Sequence, residues 1–394
     1  MSQPVVILLI VGLQTVAFNL VHPIMPSLII SMGFHDWTFG AAFSSMALTS
    51  FLYSKRAQML CQKYSEKSIF LFGCAGYAFT QLMFLTATSE FNIVIWRLIC
   101  GIFVAMINIS SFIYLLKVTN TQNRSFYLAT LATVITVSTT IGYAIGGIVG
   151  DAVYEYAFYL QAASLIIIGL IFFCIGLETH PNTEKSNPQR ECNNPFYINL
   201  KLFRKKYILI TLLVITFLSL TSVTIYEQSL NFFLRKQLTL SPMNIGYIKA
   251  ITGLITLISN ECFATYLMRK AKITMYLSIV FISGAFINLL FVIYNFGTIF
   301  IVLNCIFTVF NSIHQPIIQE LVTIVDVKQQ ENLVSLYNEM RSMGWIVGGL
   351  VAGYSYSLNP NLPFICTVFI FCILALLSIS LPKLKRDITN QENI

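Results

Sequence analysis

The residues that could do chemistry are ionisable groups set inside apolar stretches: Arg97, Glu227, Lys249, Glu261, Glu320, Glu339 and Arg341, with His22 and His314. A charge in an apolar slab is costly unless it is paired or faces water, so each is a candidate for binding, coupling or bracing. Glu227 lies well past the middle of its stretch. Its carboxyl can be charged or neutral, so it could carry a proton from one side to the other. It could equally pair with Lys249, which stands at a matching distance beyond the turn 233–243. Arg97 follows Trp96 near the start of its stretch. Arginine stays charged and cannot carry the proton itself, but it can hold a carboxylate ionised or bind an anionic group of a ligand. It could also simply snorkel to the outer interface. His314 is one turn past Asn311, so the two share a helix face. Histidine titrates most readily near neutrality, although a buried neutral imidazole is the plainer reading. Glu320, Glu339 and Arg341 gather near the inner ends of their stretches, and Glu261 lies near Arg269 and Lys270. These four read as an inner gate or a charge brace.

No enzyme constellation accompanies them. GxxxxGK[ST], HExxH, GxSxG and zinc-ligand spacings are all missing from the sequence. Neither a metal nor a cofactor is expected, and energy must come from an ion gradient, the substrate's own gradient or a partner. The nine cysteines are scattered without a CxxC pair and read as small packing residues. Only 10% of residues are charged and 56% are apolar. A soluble domain carries about 25% charged residues, so too few remain here to cover a water-exposed surface. Composition therefore excludes a soluble or enzymatic protein and implies a lipid-facing one.

The elements that must position these groups are twelve apolar stretches, each able to cross a bilayer as a helix: 5–30, 38–60, 68–88, 93–116, 126–150, 158–177, 208–232, 244–267, 275–294, 298–322, 333–356 and 362–381. The first has no basic leader and no cleavage site after it, so it reads as a span rather than a signal peptide. A polar break at 178–206 holds Pro181, Pro188 and Pro195 and ends on a basic cluster, Lys201 with Arg204, Lys205 and Lys206. It reads as a linker. The predicted organisation is an all-α integral membrane protein of two six-helix bundles, 1–177 and 207–394, with a cytoplasmic linker 178–206 and a short cytoplasmic tail. Nineteen of the 24 Lys and Arg residues fall on one set of loops and the tail. The positive-inside rule then places both termini and the linker in the cytoplasm. The net charge of +8 belongs to this rule. Its clusters hug the membrane rather than forming one face, so no nucleic-acid partner is implied.

The chain also repeats itself. Residues 142–149 read Gly-Tyr-Ala-Ile-Gly-Gly-Ile-Val and residues 344–351 read Gly-Trp-Ile-Val-Gly-Gly-Leu-Val. The copies lie six spans apart, an even number, so both cross in one direction, as in a parallel repeat. The alternative is a chance pair of small-residue packing faces. Either way Gly142, Gly146, Gly147, Gly344, Gly348 and Gly349 are expected to pack tightly against neighbouring helices.

Several of these features have counterparts in one family. Residues 19–26, Asn-Leu-Val-His-Pro-Ile-Met-Pro, look like a paired-proline first helix; Arg97 matches a fourth-helix arginine; Gly142, Gly146 and Gly147 match a fifth-helix glycine motif; Glu227 matches a seventh-helix glutamate, with Ser241-Pro242 at the same distance after it. On these residues the chain resembles the twelve-span drug:proton antiporters of the major facilitator superfamily, in particular the NorA-type multidrug exporters and tetracycline exporters of Gram-positive bacteria. The resemblance implies a monomeric multi-pass protein of a bacterial cell membrane. It would export small drug-like molecules by alternating access in exchange for protons. The chain also departs from the pattern. Residues 58–67, Gln-Met-Leu-Cys-Gln-Lys-Tyr-Ser-Glu-Lys, lack the glycines and aspartate of GxLaDrxGrk, Tyr143 replaces a proline, and Asn311 stands where an acid pairs functionally with the seventh-helix glutamate. Coupling would then rest on Glu227 alone or on Glu227 with His314. Arg97, Lys249 and Arg341 lean the membrane-embedded charge positive, toward zwitterionic or anionic substrates such as a quinolone-like drug or a carboxylate siderophore. A dedicated metabolite exporter, an importer, a transport-dead sensor and a lipid-handling flippase are the competing readings.

Overall fold

The computed structural model describes residues 2–120, 122–177, 207–268, 273–294, 297–325 and 330–381. The expected linker 178–206, the loop cations Arg269, Lys270, Lys272 and Lys328, and the basic tail lie outside the described residues. Among the described residues all regular structure is helical: α1 Gln3–Asn19, α2 Met25–Ser31, α3 Trp37–Lys63, α4 Glu66–Leu85, α5 Glu90–Val118, α6 Arg124–Ala152, α7 Tyr154–Ile175, α8 Tyr207–Lys236, α9 Pro242–Ile258, a π-helical turn Ser259–Ala264, α10 Thr265–Met268, α11 Ile273–Ile293, α12 Gly297–Ile324, α13 Gln330–Leu358 and α14 Leu362–Ile379. Each of the twelve expected spans falls on one of these helices or on a broken succession of them. Nine of the described helices are long and apolar enough to cross a membrane. Large apolar side chains face outward along them, Phe72, Phe286, Phe369 and Leu376 among them, which suits lipid contact and would not suit water. The chain is a multi-pass membrane protein.

Two spans are not continuous α-helices. The first breaks between α1 and α2. Pro23 has no N–H to donate and disfavours helical backbone at His22, so the chain makes a turn from Leu20 to Ile24 before restarting. In lipid the carbonyls freed by such a break must find donors. The buried Gln161 of α7 supplies them, its Nε2 donating to Ala17 O at 2.9 Å and Phe18 O at 3.1 Å. The eighth span passes through the π-helical turn Ser259–Ala264, which carries Glu261. Such turns are uncommon and recur at functional positions.

By proximity of the backbone the chain divides into one compact unit, Met1–Cys192 with Leu234–Gly253, and a second, Asn193–Phe233 with Leu254–Ile394. In the first unit, one end gathers the starts of α1 and α4 and the ends of α5 and α7. Tyr114 Oη donates to Gln3 Oε1 at 2.8 Å and accepts from Leu177 N at 2.9 Å, Lys67 Nζ donates to Gly176 O at 2.8 Å, and Lys117 Nζ pairs with Glu66 Oε1 at 2.5 Å. The opposite end holds His35 on Glu90 at 2.7 Å and Lys236 on Asp36 at 2.6 Å. Successive helices therefore run in alternating directions. The second unit is centred on aromatic rings, with Tyr226 of α8 against Phe291, Phe307 and Phe364. The hydroxyls of Thr216 and Thr367 bond back to the carbonyls of Leu212 and Pro363 on their own helices, which keeps them satisfied without water.

The glycine repeat has the same partner in each copy. A Cβ at Gly142 or Gly146 of α6 would meet the backbone of Val16 on α1 or of Leu20 just past its end; one at Gly344 or Gly348 of α13 would meet that of Phe217 or Thr221 on α8. Span five thus lies on span one as span eleven lies on span seven. Gly349 is buried. Gly147 faces a different helix, with the Gly246 Cα of α9 2.9 Å from where its Cβ would stand. Because the atoms met at Gly146 are backbone, they cannot swing aside. Gly146→Leu is expected to cost at least about 1–3 kcal/mol through overpacking and to reduce the yield of monodisperse protein on size-exclusion chromatography. Wild-type yield and melting temperature in that variant would show that the close approach is not needed.

Candidate functional site

The site is built on α5. Arg97 lies near its start, and Gly101 follows one turn later on the same face. At Gly101 a Cβ would collide with the backbone of Met46 and Ser50, so α3 lies directly on α5 there. That approach brings the Met46 thioether to Arg97. One guanidinium nitrogen is 3.7 Å from Met46 Sδ and another 3.8 Å from Met25 Sδ, just past the break in span one. The Arg97 Cζ stands 4.7 Å over the Phe84 ring. Arg97 as a whole is only 8% exposed, and among the described residues no carboxylate pairs with it. The cation is held by soft sulfurs and a ring face, which accept a positive charge without neutralising it.

Arg97 lines a cavity together with His22, Phe18, Met25, Phe39, Phe43, Met46, Tyr77 and Gln81, enclosing about 440 Å³ of atom-free space with its open mouth. The helix break places His22 there, since a continuous helix would have carried the residue past at a different angle. Phe18 stacks on Tyr77 with centroids 4.5 Å apart. Tyr143 of α6 extends the cationic character of this end: its ring lies edge-on to His22 at 5.8 Å, and Lys249 Nζ lies 5.8 Å from the same ring. Lys249 is buried and reaches this position because α9 crosses α6 at Gly147 and Gly246.

The other expected residues are spread through the second unit. From Ser219 to Leu234 of α8 every residue is buried except Glu227. Its neighbour Tyr226 hydrogen-bonds Asn304. His314 of α12 is fully buried, with Nδ1 3.2 Å from the Phe310 carbonyl and its ring against Phe281 and Phe371. Asn311 is buried one turn earlier. Glu261 is exposed and Glu320 half-buried, while Glu339 accepts a 3.5 Å hydrogen bond from Ser335. Arg341 lies between Tyr337 and Trp345, 5.5 and 5.4 Å from their ring centres. That is one aromatic residue a turn before it and one a turn after, a cation–π stack along α13. Among the described residues no ion pair joins Arg341 to Glu339 or Glu320.

The Major Facilitator Superfamily matches residues 7–349. The chain belongs to the Major Facilitator Superfamily. That family places it among membrane transporters. It is similar to the class H tetracycline resistance protein of Pasteurella multocida, 29% identical over 175 residues that cover 43% of this chain and 44% of that protein. It is also similar to monocarboxylate transporter 4 of Mus musculus, 31% identical over 129 residues, 30% of this chain and 27% of that one. The matches thus span less than half the length of these relatives. In fold it is similar to the crystal structure of the nucleoside transporter NupG, with a TM-score of 0.75 at 14% identity over 99% of both chains.

Sequence reasoning singled out Arg97 in this transporter but passed over Tyr77 and Gln81, which share its cavity. They carry no charge at neutral pH, so a search for charged groups and histidines passes over them. A usable signal existed: an amide one turn from a phenol on an otherwise apolar span is costly in lipid unless it has a polar purpose. Gln161 escaped notice for the same reason.

Proposed function

We propose that this transporter exports small organic molecules by alternating access in exchange for protons, that Glu227 carries the exchanged proton, and that the substrates are anionic or zwitterionic. The observation that supports the substrate class is Arg97, buried at a cavity and paired with no carboxylate among the described residues. A buried cation is stabilised most by an anion, and here the substrate supplies it. Lys249 beside Tyr143 reinforces the positive potential of that end. The names of the two curated relatives point the same way: one concerns resistance to a drug, the other monocarboxylates. For the coupling role, the support is the single accessible carboxyl on an otherwise buried stretch of α8. The proposal includes the arrangement read from the loop charges: bundles 1–177 and 207–394, linker 178–206 and both termini in the cytoplasm, in the cell membrane of a bacterium, as a monomer. A dedicated exporter of one anionic metabolite, such as a carboxylate siderophore, is favoured by the same arginine.

Everted membrane vesicles with an imposed pH gradient test the reading. Accumulation of zwitterions or carboxylates that collapses when the gradient is dissipated is the expected result. Accumulation confined to lipophilic cations would overturn the substrate class, and accumulation indifferent to the gradient would overturn proton exchange.

A further inference from the structure

The cavity holds a second group whose chemistry is unfinished. Gln81 of α4 is 1% exposed. Its Nε2 points to Cys100 Sγ at 3.8 Å, while its Oε1 has no hydrogen-bond partner among the described residues. Leaving an amide oxygen buried without a donor is costly, so it is expected to be matched by something that binds. Arg97, at the same cavity, is a donor with no anion among the described residues. The Tyr77 hydroxyl stands beside both side chains, so the orphaned acceptor and the unneutralised donor are within reach of one small molecule. Around them the walls are rings and thioethers, Phe18, Phe39 and Met46 among them, surfaces that favour a flat apolar body.

We infer that this cavity is a two-point subsite for small aromatic carboxylates bearing a hydroxyl or amino donor: Arg97 takes the carboxylate, and Gln81 Oε1 accepts the ligand's O–H or N–H. The inference rests on the export reading for its physiological use, but the subsite is defined by binding alone. Gln81 sets specificity rather than affinity, because it discriminates a donor from an acceptor at one position of the ligand. Arg97 sets affinity, because a hydrogen bond to a charged group is the stronger of the two.

Equilibrium binding to the purified full-length protein in detergent tests it, using radiolabelled hydroxybenzoates and competition by benzoate, the matching methoxybenzoates and methyl hydroxybenzoate. In the wild type at least one hydroxybenzoate isomer should bind about three- to tenfold tighter than benzoate or its methoxy counterpart, whose oxygen can only accept. Arg97→Gln should weaken the acids about tenfold or more and leave the ester unchanged. Gln81→Leu should abolish the hydroxyl preference and keep benzoate affinity. Equal binding of hydroxy, methoxy and unsubstituted acids by the wild type would overturn the inference, and this comparison holds even if a variant fails to fold. A hydroxyl preference that survives in monodisperse Gln81→Leu would overturn it too. Proteoliposomes loaded with the same acids separate the two levels. The expected binding pattern without gradient-driven movement keeps the subsite and refutes export. Gradient-driven movement of other compounds without hydroxybenzoate binding refutes the subsite and keeps export.

Discussion

Lys117→Met is expected to lower the stability of the transporter by about 3 kcal/mol, the range seen when one partner of a buried ion pair is removed. The pair is asymmetric. The Glu66 side chain is 1% exposed and that of Lys117 31%. Losing the lysine deprives a carboxylate that is shut off from water of a cation paired with it. Losing the acid leaves a long, partly exposed ammonium that can turn outward, so Glu66→Gln should cost about 1 kcal/mol. Replacing both, with leucine at Glu66 and methionine at Lys117, should come out near neutral, since neither charge is left behind. Thermal unfolding of the detergent-solubilised protein measures all three. Equal losses in the two single variants would refute the asymmetry. A double variant as unstable as Lys117→Met would show that packing and not charge governs the position.

The way this pair escaped a reading of the sequence shows what such a reading can and cannot see. Lys117 is one of the nineteen cations that fall on one set of loops and the tail, and Glu66 lies in the segment 58–67, notable for the glycines and aspartate it lacks. Both sit at helix ends, α4 and α5, where sequence gives no sign of which charges turn inward. The spans themselves were legible because a bilayer imposes a length and an apolar composition on every crossing. The glycine faces were legible for a related reason. Spacing of four puts Gly142 and Gly146 on one line of the helix, and nothing but a close neighbour explains two missing side chains there. What was not legible depended on geometry across the chain. Pro23 announces a break, but not that His22 would thereby reach the cavity of Arg97. The π-helical turn at Ser259–Ala264 has no composition of its own. Nor does anything in residues 234–253 announce that their backbone lies closest to Met1–Cys192.

Glu227→Gln is expected to abolish gradient-driven export while leaving substrate binding largely intact. Glutamine keeps the shape and hydrogen-bonding capacity of the protonated acid but cannot release the proton, so a carrier that must alternate between two charge states is fixed in one. The position suits that role. A carboxyl that is accessible on a stretch of α8 otherwise buried from Ser219 to Leu234 can exchange its proton, whereas the fully buried ring of His314, packed on Phe281 and Phe371, is poorly placed to do so. The competing expectation from the sequence is that Glu227 only braces Lys249. In that case Glu227→Gln would strand a buried cation at a cost of about 3–5 kcal/mol, and export would fall because folded protein falls. A Glu227→Gln, Lys249→Met double variant separates the two. It should recover stability in either case, since no charge remains alone. If Glu227 carries the proton, the recovered protein binds substrate and still does not concentrate it against a gradient, although it still equilibrates substrate down its own gradient. Restored uphill export in the double variant would remove Glu227 from the coupling mechanism and leave His314 as the remaining titratable candidate.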